Sequence, residues 1–153
     1  MITFDHISVK NLLSWGDQPV ELSLKEHHLS LIHGKSGSGK SSLICDSLFF
    51  GLFGKAYKNV NKPTLCNSVN ASDCLVEVSF HTPEHSYVIV RGIRPNVFKI
   101  FEDDVLIEQT AEVKDYQQHL EKNILKMTDK IFRQIVFVGS SSYIPFLKLP
   151  LAL

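Results

Sequence analysis

The sequence predicts an α/β fold whose sheet mixes parallel core strands with an antiparallel β-rich part. Three observations predict it. An apolar strand, a glycine-rich loop and an amphipathic helix follow one another between residues 28 and 53. Short alternating apolar runs recur from 74 to 107, and helical spacing returns after Thr110.

Each element has its own signal. Ile2–Lys10 alternates through Ile2 and Phe4, then Ile7 and Val9, and the slip at Asp5–His6 predicts a bulge. Val20–Leu24 alternates behind Pro19, a residue tolerated where a strand starts. His28–His33 carries the run Leu29-Ser30-Leu31-Ile32, a strand leading directly into the glycine loop. Ser41–Phe53 sets Leu43, Ile44, Leu48, Leu52 and Phe53 at helical spacing, with Gly54 as the stop. Residues 55–72 are polar and irregular. Cys74–Phe80, Tyr87–Arg91 and Val97–Phe101 read as strands, the last turning at Asp103–Asp104 into Val105–Ile107. Thr110 caps a helix with the apolar face Val113, Tyr116, Leu120 and Ile124. Thr128 caps another, with Ile131, Phe132, Ile135 and Val136. Without repeats or an evident linker, residues 1–153 read as one domain.

Composition narrows the function. A chain of 153 residues buries roughly 70% of its unfolded surface. Its 16 basic residues balance 16 acidic ones, so bulk charge does not attract DNA, and any such contact needs a local patch or a larger assembly. Cys45, Cys66 and Cys74 are odd in number and form no CxxC, which suits a reducing, cytoplasmic setting. No stretch reaches the roughly 18 apolar residues of a membrane span, and the N-terminus lacks a leader pattern.

The chemistry sits at Gly34-Lys35-Ser36-Gly37-Ser38-Gly39-Lys40-Ser41, which fulfils GxxxxGK[ST] at every fixed position. Gly34, Gly37 and Gly39 are expected to take positive φ and let the backbone approach phosphates. The successive N–H groups, continuing to Ser42, form an anion nest at the head of the helix. Lys40 is expected to reach the β and γ phosphates of a nucleoside triphosphate, and Ser41 to ligate Mg²⁺. By average composition the pattern arises by accident in on the order of one chain in 200 of this length. Its position between strand and helix argues against accident.

The surrounding residues add a resemblance. Lys10-Asn11-Leu12-Leu13-Ser14-Trp15-Gly16 resembles the N-terminal motif of SMC-type ATPases that act on DNA ends, the SbcC group. Gly37–Ser42 and Ser47–Lys55 are similar to that group's loop and first helix. The segments Cys66–Asn70, Leu75–Val78, Arg91–Phe98, Phe132–Val136 through Gly139, and Tyr143–Phe146 look most like the ATPase subunits of T-even-type phage recombination endonucleases. The resemblance implies a P-loop NTPase of ABC/SMC-head type, specifically its N-terminal lobe, using ATP and Mg²⁺. It implies as partners the C-terminal half of the same head, a second head, a nuclease subunit, and DNA through the assembled complex. It also implies a coiled coil after this lobe and the host cytoplasm as the setting.

A hydrolysing site of this type needs an apolar strand ending in Asp-Glu and a Ser-Gly-Gly-type signature. The nearest candidate, Val97-Phe98-Lys99-Ile100-Phe101-Glu102-Asp103-Asp104, is interrupted by Lys99 and ends in a turn pattern, so a solvated turn is expected. Little turnover is therefore expected of this chain alone. The rivals are a nucleotide-gated lobe without catalysis and a small P-loop kinase, which would need lid arginines where residues 100–153 offer only Arg133.

Single residues stay open. Gln134 or Ser140 could sense Mg²⁺ or water, against a plain structural role. Leu13 stands where the group often has arginine, and Ser36 where it has asparagine. Lys55, Lys58, Lys62, Arg91 and Arg94 could touch DNA or phosphates, and a solvated face is the preferred reading. His27, His28, His33, His81 and His85 lack a metal-binding arrangement, since Pro83 breaks the spacing of the last two. Cys45, Phe49, Phe50 and Phe53 read as packing residues.

Overall fold

Alternation along the first strand decides where the core lies. The computed structural model describes residues 1–25, 29–109 and 113–137. They fall into two compact units, Met1–Thr110 and Ala111–Leu153. In the first, β1 (Thr3–Lys10) turns Ile7 and Val9 inward to complete burial. β3 (Cys74–His81) does the same with Val76, Val78 and Phe80, β4 (Ser86–Ile93) with Ile89, and β5 (Val97–Glu102) with Ile100. With β2 (Val20–Ser23) and β6 (Val105–Leu106) they form one sheet in the order β2-β1-β3-β4-β5-β6. Every adjacent pair is antiparallel. This is the expected antiparallel β-rich part. The expected bulge is present: the β1–β3 register shifts between Phe4 and His6.

One helix covers the buried face. Helical geometry begins at Lys40, passes through a π turn at Ser42–Asp46, and continues as α1 (Ser47–Phe53), all of whose residues are buried. Burying each of Leu48, Phe49, Phe50 and Leu52 contributes roughly 2 kcal/mol. The close approach to the sheet is made at Gly51, where a Cβ would stand 2.6 Å from Val78 Cγ2. The helix stops at Gly54, left-handed at φ 66, whose N–H bonds Phe50 O at 2.8 Å.

Two expectations in this unit are corrected. Residues 29–33 are not a strand, and Leu29 and Leu31 are 91% and 88% exposed. Such a continuous apolar run makes a strand only when neighbours cover both faces, and among the described residues no strand pairs with it. Arg91 lies on no solvated face. It is buried, donates from Nε to Gly51 O (2.9 Å) and from Nη2 to Leu52 O (3.3 Å), and stacks 3.6 Å over the Phe98 ring. A guanidinium on the last carbonyls of a helix meets the negative end of its dipole. Lys62 is also half-buried, donating to Asn96 Oδ1 at 3.2 Å.

The Asp103–Asp104 turn is the expected hairpin turn: both residues take positive φ, joining antiparallel β5 and β6. Asp103 there accepts from Ser86 N–H (2.9 Å), Ser86 Oγ (3.0 Å) and His85 Nδ1 (2.7 Å). These bonds, the Ser86 N–H foremost, hold its carboxyl down at about 2, and the bond to Asp103 raises the His85 pKa. The depressed Asp103 stabilises the fold above its unfolded pKa and loses that contribution as pH falls toward 2. The raised His85 stabilises below its unfolded pKa, and its contribution is lost as pH rises through the folded value. The pairing is therefore strongest between the unfolded Asp103 value and the unfolded His85 value, where both contributions are present. Asp103→Asn is expected to lower the His85 pKa in an NMR titration; an unmoved His85 would refute the pairing.

In the second unit, α2 (Val113–His119) runs into a π turn at Leu120–Ile124, and Tyr116, Leu120 and Ile124 are buried as expected. The Thr110 cap lies outside the described residues. Thr128 caps α3 (Asp129–Ile135) by accepting from Ile131 N–H. Phe132 is buried, edge-to-face with Phe137 at 5.4 Å. The broader apolar face expected there is corrected: Ile131, Ile135 and Val136 are largely exposed. Ile131 stands about 100° round the helix from Phe132, and Ile135, one turn beyond Ile131, shares its exposed stripe.

Candidate functional site

The glycine loop closes on itself through Lys40. Its ammonium donates to Gly34 O at 2.8 Å and Lys35 O at 2.7 Å, and lies 3.4 Å from Ser38 Oγ. Ser38 N–H closes a turn on Lys35 O (3.2 Å), and Leu43 N–H makes the helix-starting bond to Gly39 O (2.8 Å). Gly37 and Gly39 take φ of 79° and 86°, where a side chain would be strained. Gly34 corrects the expectation: it needs no positive φ. A Cβ there would meet Ser38 Oγ at 3.0 Å, a tight contact with a side chain that can rotate.

The loop borders an open cleft of about 430 Å³, lined by Ser36 to Ser42 together with Ser14 and Lys58. Seven of the nine expected residues therefore meet in one place, while Gly34 and Lys35 support Lys40 from behind with their carbonyls. An ammonium, several hydroxyls and a glycine-rich backbone suit an oxyanion-rich ligand. The helix that starts at Lys40 adds its positive dipole end to the same side.

The N-terminal motif forms the second wall. Trp15 Nε1 donates to Gly39 O at 3.3 Å, and a Cβ at Gly39 would meet Ser14 Oγ at 2.9 Å and the Trp15 ring at 3.2 Å. Three asparagines hold this wall. Asn67 donates to Leu13 O (2.8 Å) and Trp15 O (3.2 Å), and its Oδ1 accepts from the N–H groups of Val69 and Asn70. Asn70 in turn donates to Asn11 Oδ1 at 2.7 Å. The sequence reading gave Ser14 and Asn67 no role, and it weighed Lys58 as a phosphate contact only to prefer a solvated face, whereas Lys58 lines the cleft. The Ser14-Trp15 pair in the N-terminal motif carried the signal for the first.

Behind the loop sits Asp46, wholly buried, with Lys58 Nζ 3.7 Å from Oδ2. Burial raises its pKa, and nearby Lys58 pulls it back down. Burial likewise pushes up the half-buried Cys45 thiol, a packing residue as expected. Leu13 does not line the cleft; its N–H bonds Leu65 O at 2.7 Å. Gln134 lies on α3 in the second unit, and Ser140 falls outside the described residues. No helix among the described residues is long and apolar enough to cross a membrane.

Comparison with known proteins agrees with this geometry. The family model described as AAA domain matches residues 6–151. Exonuclease subunit 2 of Escherichia phage RB69 is 36% identical over 145 residues, 95% of this chain but 25% of that protein. Its counterpart in Enterobacteria phage T4 is 36% identical over 145 residues, covering 26% of that protein. A DNA double-strand break repair Rad50 ATPase of Thermoplasma acidophilum is 31% identical over 137 residues, 87% of this chain and 15% of that protein. The chain thus spans about a quarter of the length of the phage relatives. A solved chain described under "Structural biochemistry of ATP-driven dimerization and DNA stimulated activation of SMC ATPases" superposes with TM-score 0.66 at 17% identity. It covers 96% of this chain and 92% of that one, so the fold is that of an SMC ATPase head. The chain therefore belongs to the AAA domain family and, within it, is an N-terminal lobe of the SMC/SbcC type.

Proposed function

We propose that the chain binds MgATP in this cleft as one lobe of an ATPase head that regulates a partner nuclease during DNA double-strand-break repair. The observation that carries the reading is the convergence of Ser36 to Ser42 on one cleft, with the Lys40 ammonium poised over its floor. The donor set fits a polyphosphate. Lys40 would exchange its two carbonyl partners for β and γ oxygens, the backbone from Gly34 to Ser42 would cradle the phosphates, and the exposed Ser41 hydroxyl would hold Mg²⁺. The metal supplies charge neutralisation between the phosphates. Trp15 and the asparagine wall keep Gly39 close, which fixes the loop's curvature before a ligand arrives.

The rest of the reading is supported by relatives. Those named Exonuclease subunit 2 support a nuclease partner, and those named DNA double-strand break repair Rad50 ATPase support the repair role. ATP-driven dimerization, described for the SMC neighbour, supports a second head. The bare run Leu29-Ser30-Leu31-Ile32 supports a complementary lobe of the same head, whose strands would cover it. DNA is engaged through that assembly, in the cytoplasm, since this chain carries 16 basic against 16 acidic residues. Turnover needs the acid and the signature that the sequence lacks. The expected result is MgATP binding by calorimetry with no hydrolysis above background. Robust hydrolysis by this chain alone, dependent on Lys40, would overturn the half-site reading.

A further inference from the structure

Asp5 and Asp46 are the buried carboxylates among the described residues, and they are treated differently. Asp5 is answered by His81 Nδ1 at 2.9 Å from both oxygens and by Lys25 at 3.6 Å. Neither oxygen of Asp46 makes a hydrogen bond. Among the described residues its ion-pair partner is Lys58, at 3.7 Å too long for a hydrogen bond, and that side chain is 59% exposed and also lines the cleft. A single cation on a flexible stem is therefore shared between a buried carboxylate and an anion-accepting cleft.

We propose that Lys58 is a second phosphate-contacting cation, which passes from Asp46 to a bound triphosphate while the Asp46 carboxylate takes up a proton from solvent. This rests on the reading that the cleft takes a nucleoside triphosphate. The exchange follows from charge. A triphosphate offers several anionic oxygens, whereas the pairing with Asp46 lacks hydrogen bonds. Once Lys58 leaves, no other cation among the described residues pairs with the buried charge, the Ser42 hydroxyl that faces it is neutral, and protonation is the cheapest relief. The groups facing Asp46 allow it. Lys58 approaches from the loop after α1, Cys45 on the same helix has a thiol whose pKa is raised, and Ser42 offers a neutral hydroxyl. Burial already raises the Asp46 pKa even with Lys58 beside it.

The test is calorimetric titration of MgATP into the full chain near neutral pH, in two buffers of different ionisation enthalpy. The wild type is expected to take up protons on binding. Lys58→Gln is expected to bind about tenfold more weakly and to lose that uptake. Asp46→Asn is expected to keep or improve affinity and to lose the uptake too; melting curves check its folding, and the Lys58 arm stands independently. Wild-type affinity and proton uptake in Lys58→Gln would overturn the proposal. If Lys40→Ala still weakens binding in that case, the cleft reading survives and only the exchange fails. If neither lysine matters, the cleft reading falls with it.

Discussion

Replacing Lys40 by alanine is expected to weaken MgATP binding on the order of 100-fold, measured by calorimetry or by displacement of a fluorescent nucleotide. The size follows from what the ammonium does. It is the charged donor placed over the loop, and each charge-assisted hydrogen bond is worth roughly 1.5–3 kcal/mol. Two such bonds, now made to Gly34 O and Lys35 O, are what a triphosphate would inherit. Some of the loss is reorganisation, because the variant also frees those two carbonyls. The fold should survive, since these contacts sit at an exposed loop. An unchanged melting curve with unchanged affinity would remove the phosphate assignment.

Gly51→Val is expected to have the largest effect on stability, about 3 kcal/mol, or roughly 10 °C in melting temperature for a chain of this length. A new Cβ there falls 2.6 Å from Val78 Cγ2 and 3.3 Å from Val76 Cγ1, on the strand that α1 covers. Neither valine can retreat, because both are fully buried in the sheet's inner face. The helix must lift, and Phe49, Phe50 and Leu52 lift with it. Better helix propensity at position 51 returns only about 0.5 kcal/mol. A melting temperature within a degree or two of wild type would mean that α1 does not rest on β3 as described.

Much of this was legible because local rules agreed with tertiary demands. The alternation in Ile2–Lys10 and Cys74–Phe80 fixed the buried faces, the slip at Asp5–His6 marked the bulge, and Gly54 and Thr128 marked helix ends. The cleft residues from Ser36 to Ser42 were readable because they are adjacent in a glycine-rich turn and so share one surface whatever the distant packing. What was not readable depends on partners distant in sequence. Leu29–Ile32 has strand composition but no neighbour among the described residues to make it a strand. Arg91 looks like a surface base until α1 brings two carbonyls to it across 39 and 40 residues. Asn67 holds the second wall across 52 and 54 residues, and the resemblance of Cys66–Asn70 marked the segment without giving Asn67 that role. Gly34 shows a subtler failure: its expected positive φ is absent, because only Gly37 and Gly39 take the left-handed turns of the loop.

The bare Leu29–Ile32 segment has a colloidal consequence. An exposed thread of leucines and isoleucine outside any described strand is sticky toward like chains, and this chain's zero formal net charge at neutral pH provides no repulsion to keep copies apart. Handled by itself, the polypeptide should clump as its concentration rises, and co-production with whatever strand caps that thread should do more for its yield than any surface substitution.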